Sequence, residues 1–494
     1  MPNIDFSIDI HTHASYKPFG KSFPKSTGKQ SSSVGDKTSM WFYDPASVVD
    51  KLINEIGSLT KFSQANFTAA SYGRLWVIAI GMGSIEKWFF NNKMGTGAIA
   101  DILEDFATEI GKPRINAIQA MKDYWGDLQQ EYSFLQQMHN KTVTVDGNKY
   151  KYVIVNNFTE LKAAMEENAT IVADQNGQPI SIAVIPTVEG LHVLNCGIDP
   201  DRSPDNLKAN PDEVKQHARE LKNLPHKPWF VGITHHFYNE LCGQSLSLRG
   251  LIAKNCDQHV GLNTGFTSLG KEVLSILLDN TDGKRILVDC KHMSPQTRQE
   301  FFAMRETQYP GIPVFMSHGV ANGLPTPGAT VSLYPEIGNT LCDGEINFYD
   351  DEIALMAKSG GILGLQLDER RLANDETIKR TKHSFFKNKI MHYRSELVWK
   401  QVQYMGELLD KNDLPAWSNL CLGSDYDGIV DPINSFWTVE QYPELKSYLE
   451  RHAFNYMSNH SDRLKNAFNK IDADVIIQNI FQTNAWNFFE RWFK

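Results

Sequence analysis

The sequence predicts a (β/α)₈ barrel of the TIM type, an α/β fold with insertions, and three observations lead there. Eight short apolar, β-branched segments recur along the 494 residues, at 4–10, 75–80, 180–188, 229–234, 286–290, 313–317, 361–367 and 420–424. Helix-period stretches such as 272–280, 295–305 and 350–358 lie between them. Polar residues of the metal-binding types recur just where the apolar segments end. Alternation of this kind means parallel strands joined by crossover helices, and eight of them suggest closure. An open doubly wound sheet would carry a glycine fingerprint after its first strand, and none is present. A single barrel with insertions can exceed ~400 residues, so one domain over 1–494 is expected.

The first segment alternates Ile4, Phe6, Ile8 and Ile10, the period of a strand, and hands over directly to His11-Thr12-His13. Residues 14–40, rich in Lys, Ser, Gly and Pro, read as a loop insertion after it. A second insertion, 98–175, follows the second strand. It combines helical stretches with a hairpin, because Asp146-Gly147 separates two alternating runs. The third strand ends in Glu189 and the fourth in Thr234-His235-His236. On a strand His236 would point away from His235 and pack. The fifth strand ends Asp289-Cys290-Lys291-His292, with Lys291 expected to face away from His292, and the sixth ends Ser317-His318. The charged stretch 369–395 reads as a loop insertion after the seventh. The eighth delivers Asp425, and Asp427 two residues on reads as a cap in a turn. Insertions at the C-terminal ends of barrel strands build the substrate mouth.

Composition excludes several functions. The net charge is −9 with no long basic run, which argues against nucleic acid and anionic membranes as partners. No stretch is apolar enough to span a bilayer, and residues 1–13 lack the features of a signal peptide, so no cleaved leader is expected. Six scattered cysteines without CxxC spacing predict no disulfides and a reducing, cytoplasmic location. Cys290 and Cys421 lie within strands and read as small core residues.

Imidazole and carboxylate donors suit zinc, with manganese or iron as alternatives. A carboxylate offers two separate oxygens, so Glu189 is the natural bridge between two ions ~3.5–4 Å apart. Asp425 is placed to accept the proton of an activated water and pass it to a leaving amine. In order and placement these motifs resemble the membrane (renal) dipeptidase family of the amidohydrolase superfamily. Val188-Glu189-Gly190-x-His192 resembles its bridging-glutamate motif, and Ile233-Thr234-His235 its fourth-strand histidine. Val288–Ser294 and Phe315–His318 resemble its two second-metal histidine motifs, and Gly423–Gly428 its eighth-strand Gly-Gly-Asp-Phe-Asp-Gly.

The resemblance implies that His11, His13 and Glu189 hold a first zinc ion, that Glu189, His292 and His318 hold a second, and that Asp425 adjoins them. It implies that His235 and Asp425 are catalytic, that a metal hydroxide attacks the amide bond of a dipeptide or similar small substrate, and that barrels pair as a homodimer. Two departures stand out. The family opens His-x-Asp where this chain has His11-Thr12-His13. It also binds the substrate carboxylate with an arginine soon after the sixth-strand histidine, whereas here none occurs between His318 and Arg370. Arg370 and Arg371 are the candidates to replace it. That departure keeps lactones, esters, phosphoesters and cyclic amides open as substrates, and a non-catalytic metal-binding barrel as the other class.

Overall fold

The structure, a computed structural model, describes the chain except residues 1, 3, 24–27, 59, 94, 96–103, 106, 107, 176, 202–205 and 382–385. Parts of the three expected insertions lie outside the described residues for that reason. Among the described residues ten strands form: β1 (Ser7–Thr12), β2 (Leu75–Met82), β3 (Val143–Val145), β4 (Asn148–Ile154), β5 (Ile180–Glu189), β6 (Phe230–Gly232), β7 (Leu287–Asp289), β8 (Phe315–Gly319), β9 (Ile362–Leu365) and β10 (Leu420–Leu422). Eight of them, all but β3 and β4, are the eight segments read from the sequence. They pair in parallel in the order β2-β1-β10-β9-β8-β7-β6-β5, and β2 closes on β5 with Val77 opposite Ala183 through Met82 opposite Val188. The result is a closed (β/α)₈ barrel. Its strands are buried on both faces, which is why β2 reads as the continuous apolar run LWVIAIGM.

The Asp146-Gly147 turn makes the expected hairpin, with β3 antiparallel to β4. β4 then runs parallel to the first half of β5, from Tyr150 opposite Ile180 to Ile154 opposite Val184. Val184 also faces Ile78 of β2, so β4 occupies the edge of β5 that β6 takes further on, at Val188 and Glu189.

Helices cover the outside. Pro295–Thr307 starts where Ser294 accepts the Thr297 N–H, with proline in the first turn. Ser268–Leu278 starts where Thr267 accepts the Gly270 N–H, and it buries Leu269, Val273, Leu274 and Leu277 against the barrel. The stretch 369–395 departs from the loop expected of it. It carries the helices Glu369–Leu372 and Asp375–Thr381 and the start of a 25-residue helix, Lys387–Lys411. Beyond residue 395 that helix buries an apolar stripe (Leu397, Val398, Val402, Met405 and Leu409) interleaved with its charged residues.

Aromatic side chains fill the barrel axis. Phe230 lies against Phe315 at 4.6 Å between ring centroids, and Phe315 stacks on Phe488 at 5.7 Å. Trp229 meets Phe489 at 4.5 Å. The helix Asn484–Trp492 thus seals the N-terminal end of the barrel and leaves the C-terminal end for polar side chains.

Candidate metal centre

Every strand end that was expected to carry a ligand contributes to one cluster. Glu189, at the end of β5, stands at its middle with its two oxygens facing two groups of imidazoles. Oε2 lies 2.9 Å from His13 Nε2 and 3.6 Å from His11 Nε2. Oε1 lies 3.0 Å from His292 Nε2 and 3.4 Å from His318 Nε2. Asp425 closes the ring, with Oδ1 3.3 Å from His13 Nε2 and Oδ2 3.9 Å from His318 Nε2. His11, His292, His318, Glu189 and Asp425 are buried, and His13 is partly exposed to the cavity. His292 and Asp425 adopt left-handed backbone, φ 65° and 63°. Side chains with a Cβ pay about 1–3 kcal/mol for such a conformation, and it persists where neighbours enforce it.

The donor set fits a divalent metal. The Nε2 atoms of His11 and His13 are 3.2 Å apart, and both face carboxylate oxygens. Such an approach of lone pairs is reconciled by protons or by a cation. His11 Nδ1 and His292 Nδ1 are buried without a hydrogen-bond partner among the described residues. Burial, reinforced by His235, pushes His292 down to about 3, against the pull of its contact with Glu189. Burial likewise lowers His318 well below the usual imidazole range. Both rings are therefore neutral near pH 7, as metal ligation requires. Burial alone would raise Glu189, but His235, His11 and His13 around it hold the carboxyl well below its ordinary range. His11, His13, Glu189 and Asp425 form one set that could hold an ion, and Glu189, His292 and His318 a second.

Outer contacts aim these side chains. His13 Nδ1 meets the Gly81 carbonyl at 3.1 Å, and His318 Nδ1 meets Ser317 Oγ at 2.8 Å. Asp425 Oδ2 accepts from Gln366 Nε2 at 2.7 Å. His235 Nε2 faces Glu189 Oε2 at 3.6 Å while its Nδ1 is held by Glu86 Oε2 at 2.7 Å. Burial opposes ionisation of Glu86, yet His235 and His192 bring its carboxyl down to about 2. His192 turns its Nε2 to the Ser84 carbonyl, away from the cluster. Asp427 accepts the Gln64 and Ala65 N–H groups, the capping position expected of it.

The sequence reading missed three features. Glu86 sits in an unpatterned loop after β2 and carries no motif. His236 does not pack away from the site: β6 ends at Gly232, so strand parity no longer applies. Its ring lies 4.7 Å from that of His292, its Nδ1 meets Ser247 Oγ at 2.6 Å, and with His235 and His292 it makes a third set of converging donors. Lys291 does not face away either, because the left-handed turn at His292 ends the alternation. It lines the cavity and donates to Gln366 Oε1 at 3.2 Å.

Above the cluster opens a cavity of about 110 Å³, with Tyr16, Ile85, Phe89, Leu248, Ile252 and Val430 as its apolar walls. Three arginines also line it. Arg370 is clamped to Asp368 by two contacts, Nε–Oδ1 3.0 Å and Nη2–Oδ2 2.7 Å. Arg371 Nη2 donates to the Ser247 carbonyl at 2.6 Å. Arg249 donates to the Arg370 carbonyl at 3.1 Å and to Cys342 Sγ at 2.8 Å.

A closed (β/α)₈ barrel with histidines and carboxylates gathered at the C-terminal ends of its strands is the class that fold and site together define. No protein-family model matches the chain, and no curated protein matches it. Among solved structures it is similar to a metallo peptidase from Rhodobacter sphaeroides liganded with a phosphinate mimic of the dipeptide L-Ala-D-Ala. The TM-score is 0.50 and the identity 12%, over 89% of this chain and 94% of that one. It is also similar, with TM-score 0.48 and 13% identity over 86% of this chain and 88% of the other, to the probable dipeptidase PvdM from Pseudomonas aeruginosa. At these identities the shared property is the fold.

Proposed function

We propose that the chain is a metal-dependent hydrolase with a two-metal centre that cleaves the amide bond of a dipeptide or similar small substrate. The observation that carries this reading is Glu189, whose two oxygens each face a separate group of imidazoles at 2.9–3.6 Å. The fold shared with a peptidase that binds a dipeptide mimic supports the choice of bond.

The first ion would be held by His11, His13 and Glu189 with Asp425 beside it, and the second by Glu189, His292 and His318. Bound divalent metal supplies polarisation of the carbonyl and a water that ionises near neutral pH. The chain's own groups do the rest. Asp425, with Oδ2 fixed by Gln366, takes the proton of the attacking water at Oδ1 and delivers it to the leaving amine. His235 is anchored at Nδ1 by Glu86, so its Nε2 is aimed at the oxyanion that develops beside Glu189. Arg371 takes the substrate carboxylate, and Arg370, braced on Asp368, fixes the loop that presents it. Zinc is the metal proposed, with manganese or iron able to fill the same donor set. Six buried free thiols accord with a reducing, cytoplasmic home, and a homodimer is the proposed assembly.

The test is amino-acid release from a dipeptide panel by zinc-reconstituted protein, beside a metal-stripped sample. Metal-dependent release is the expected result. Silence across the panel with two equivalents of metal bound would overturn the dipeptidase reading and direct the search to lactones, esters, phosphoesters and cyclic amides. A chain that takes up no metal would overturn the hydrolase reading altogether.

A further inference from the structure

We propose that the amine half of the substrate carries two acidic groups, as in a dipeptide ending in aspartate or glutamate, and that Arg249 and Arg371 together bind both, one carboxylate to each guanidinium. The inference rests on the hydrolase reading above and specifies its substrate.

Elsewhere the protein pairs its buried guanidinium groups with carboxylates. Arg114 meets Asp127 at 2.5 Å, Arg298 meets Glu352 at 2.6 Å, and Arg394 meets Glu369 at 2.5 Å. A buried cation left without such a partner costs several kcal/mol, so pairing is the rule. The cavity wall differs, since Arg249 and Arg371 are partly exposed there. Among the described residues no ion pair joins a carboxylate to Arg249 or Arg371, whereas Arg370 is clamped by Asp368. What orients the two is neutral: the Ser247 and Arg370 carbonyls and the Cys342 sulfur. A guanidinium has five N–H donors, so most of the donors on each remain for a ligand.

Asp368, which clamps Arg370, also attracts Arg371, but one carboxylate does not balance the three guanidinium groups of this wall. Binding one carboxylate takes one guanidinium, held in two parallel hydrogen bonds. Two guanidinium groups in one wall exceed that need, and a second carboxylate on the ligand supplies the balance. A neutral isostere would leave the pair uncompensated, which makes the subsite selective.

The experiment compares Ala-Glu with Ala-Gln and Ala-Asp with Ala-Asn as substrates of the zinc-loaded protein, with the C-terminal residue in both configurations. In parallel, free glutamate and glutamine are titrated calorimetrically. The expected result is a preference for the acidic partner of roughly tenfold or more in kcat/KM and in Kd. Arg249→Gln and Arg371→Gln should each collapse that ratio towards unity, and Arg249→Lys should retain part of it. The wild-type ratio needs no variant, so a variant that fails to fold does not remove the test. Metal-dependent cleavage without an acidic preference would overturn this inference and leave the hydrolase reading standing. So would a preference that survives both glutamine variants. If no dipeptide is cleaved but glutamate binds tenfold tighter than glutamine through these arginines, the dipeptidase reading fails and the acidic subsite stands.

Discussion

Glu189 works through charge as well as shape, and the amide of glutamine separates the two. Glu189→Gln keeps the volume but turns one oxygen into a donor facing imidazole nitrogens. Metal content by elemental analysis should fall by about one equivalent per chain, and turnover by on the order of 10³-fold. Glu86 never touches the cluster oxygens, yet it holds His235 Nδ1 and accepts the His236 N–H. Glu86→Gln should therefore leave bound metal unchanged and lower kcat about 10–100-fold, with little change in KM. Gly428 faces the same centre from the other side: a Cβ there would fall on Asp425 Oδ1 and His13 Cδ2. Gly428→Ala should cost about 1–3 kcal/mol and weaken zinc affinity, read by competition with a chelator. The histidines and carboxylates of the cluster were legible in the sequence because each ends an apolar run at its own strand. Glu86 and His236 were not, because their place depends on loops that only the closed barrel brings together, 149 residues apart in the case of Glu86 and His235.

Among the elements, one device recurs. Asp9 in β1 accepts the His11 N–H and grips Ser424 Oγ at 2.6 Å, one residue before Asp425. Asp289 in β7 accepts the Lys291 N–H and the Ser317 N–H at 2.9 Å, one residue before His318. Each buried carboxylate thus fixes two strand ends at once, on both sides of the candidate metal centre. The insertion helix Tyr124–Gln136 adds a clamp at the mouth, where Glu131 accepts from Ser15 Oγ at 2.7 Å and from the Gly83 N–H at 3.1 Å. Burial pushes Glu131 up to about 7. Between an ordinary 4.5 and about 7 the folded chain keeps a proton that the unfolded chain has released, so this group makes stability fall as pH rises through that window. Glu131→Gln lacks the effect, and its melting temperature should gain on the wild type between pH 5 and pH 8. Thermal melts of both across that range are the check, and a constant difference would remove Glu131 as the cause. The sequence announced the β3–β4 hairpin through Asp146-Gly147. It concealed the helix Lys387–Lys411, because charge density drew attention away from an apolar stripe of helical period.

Across the whole molecule, the cluster ties together strands β1, β5, β8 and the segments after β7 and β10, so a metal ion held there, as proposed, would act as a cross-link. Removing it with a chelator should lower the unfolding free energy by about 2.7 kcal/mol relative to protein held at a hundred times the dissociation constant. Calorimetric melts with and without added zinc would measure this, and identical transitions would mean that the cluster needs no ion for its stability. The seam between β1 and β10 has a further consequence, one of timing. Asp9 bonds Ser424 across 415 residues, and the aromatic plug at the opposite end of the barrel comes from later still, at Phe488 and Phe489. At ribosomal rates, the interval between the two halves of that seam is roughly 20–80 s. Throughout it, β2 protects one side of β1 while the other stays an unpaired edge beside two exposed histidines. Refolding should share this bottleneck, since contacts so distant along the chain form slowly. The first strand to be made is thus among the last to be finished, and shelter for it during synthesis is part of what this fold demands of the cell.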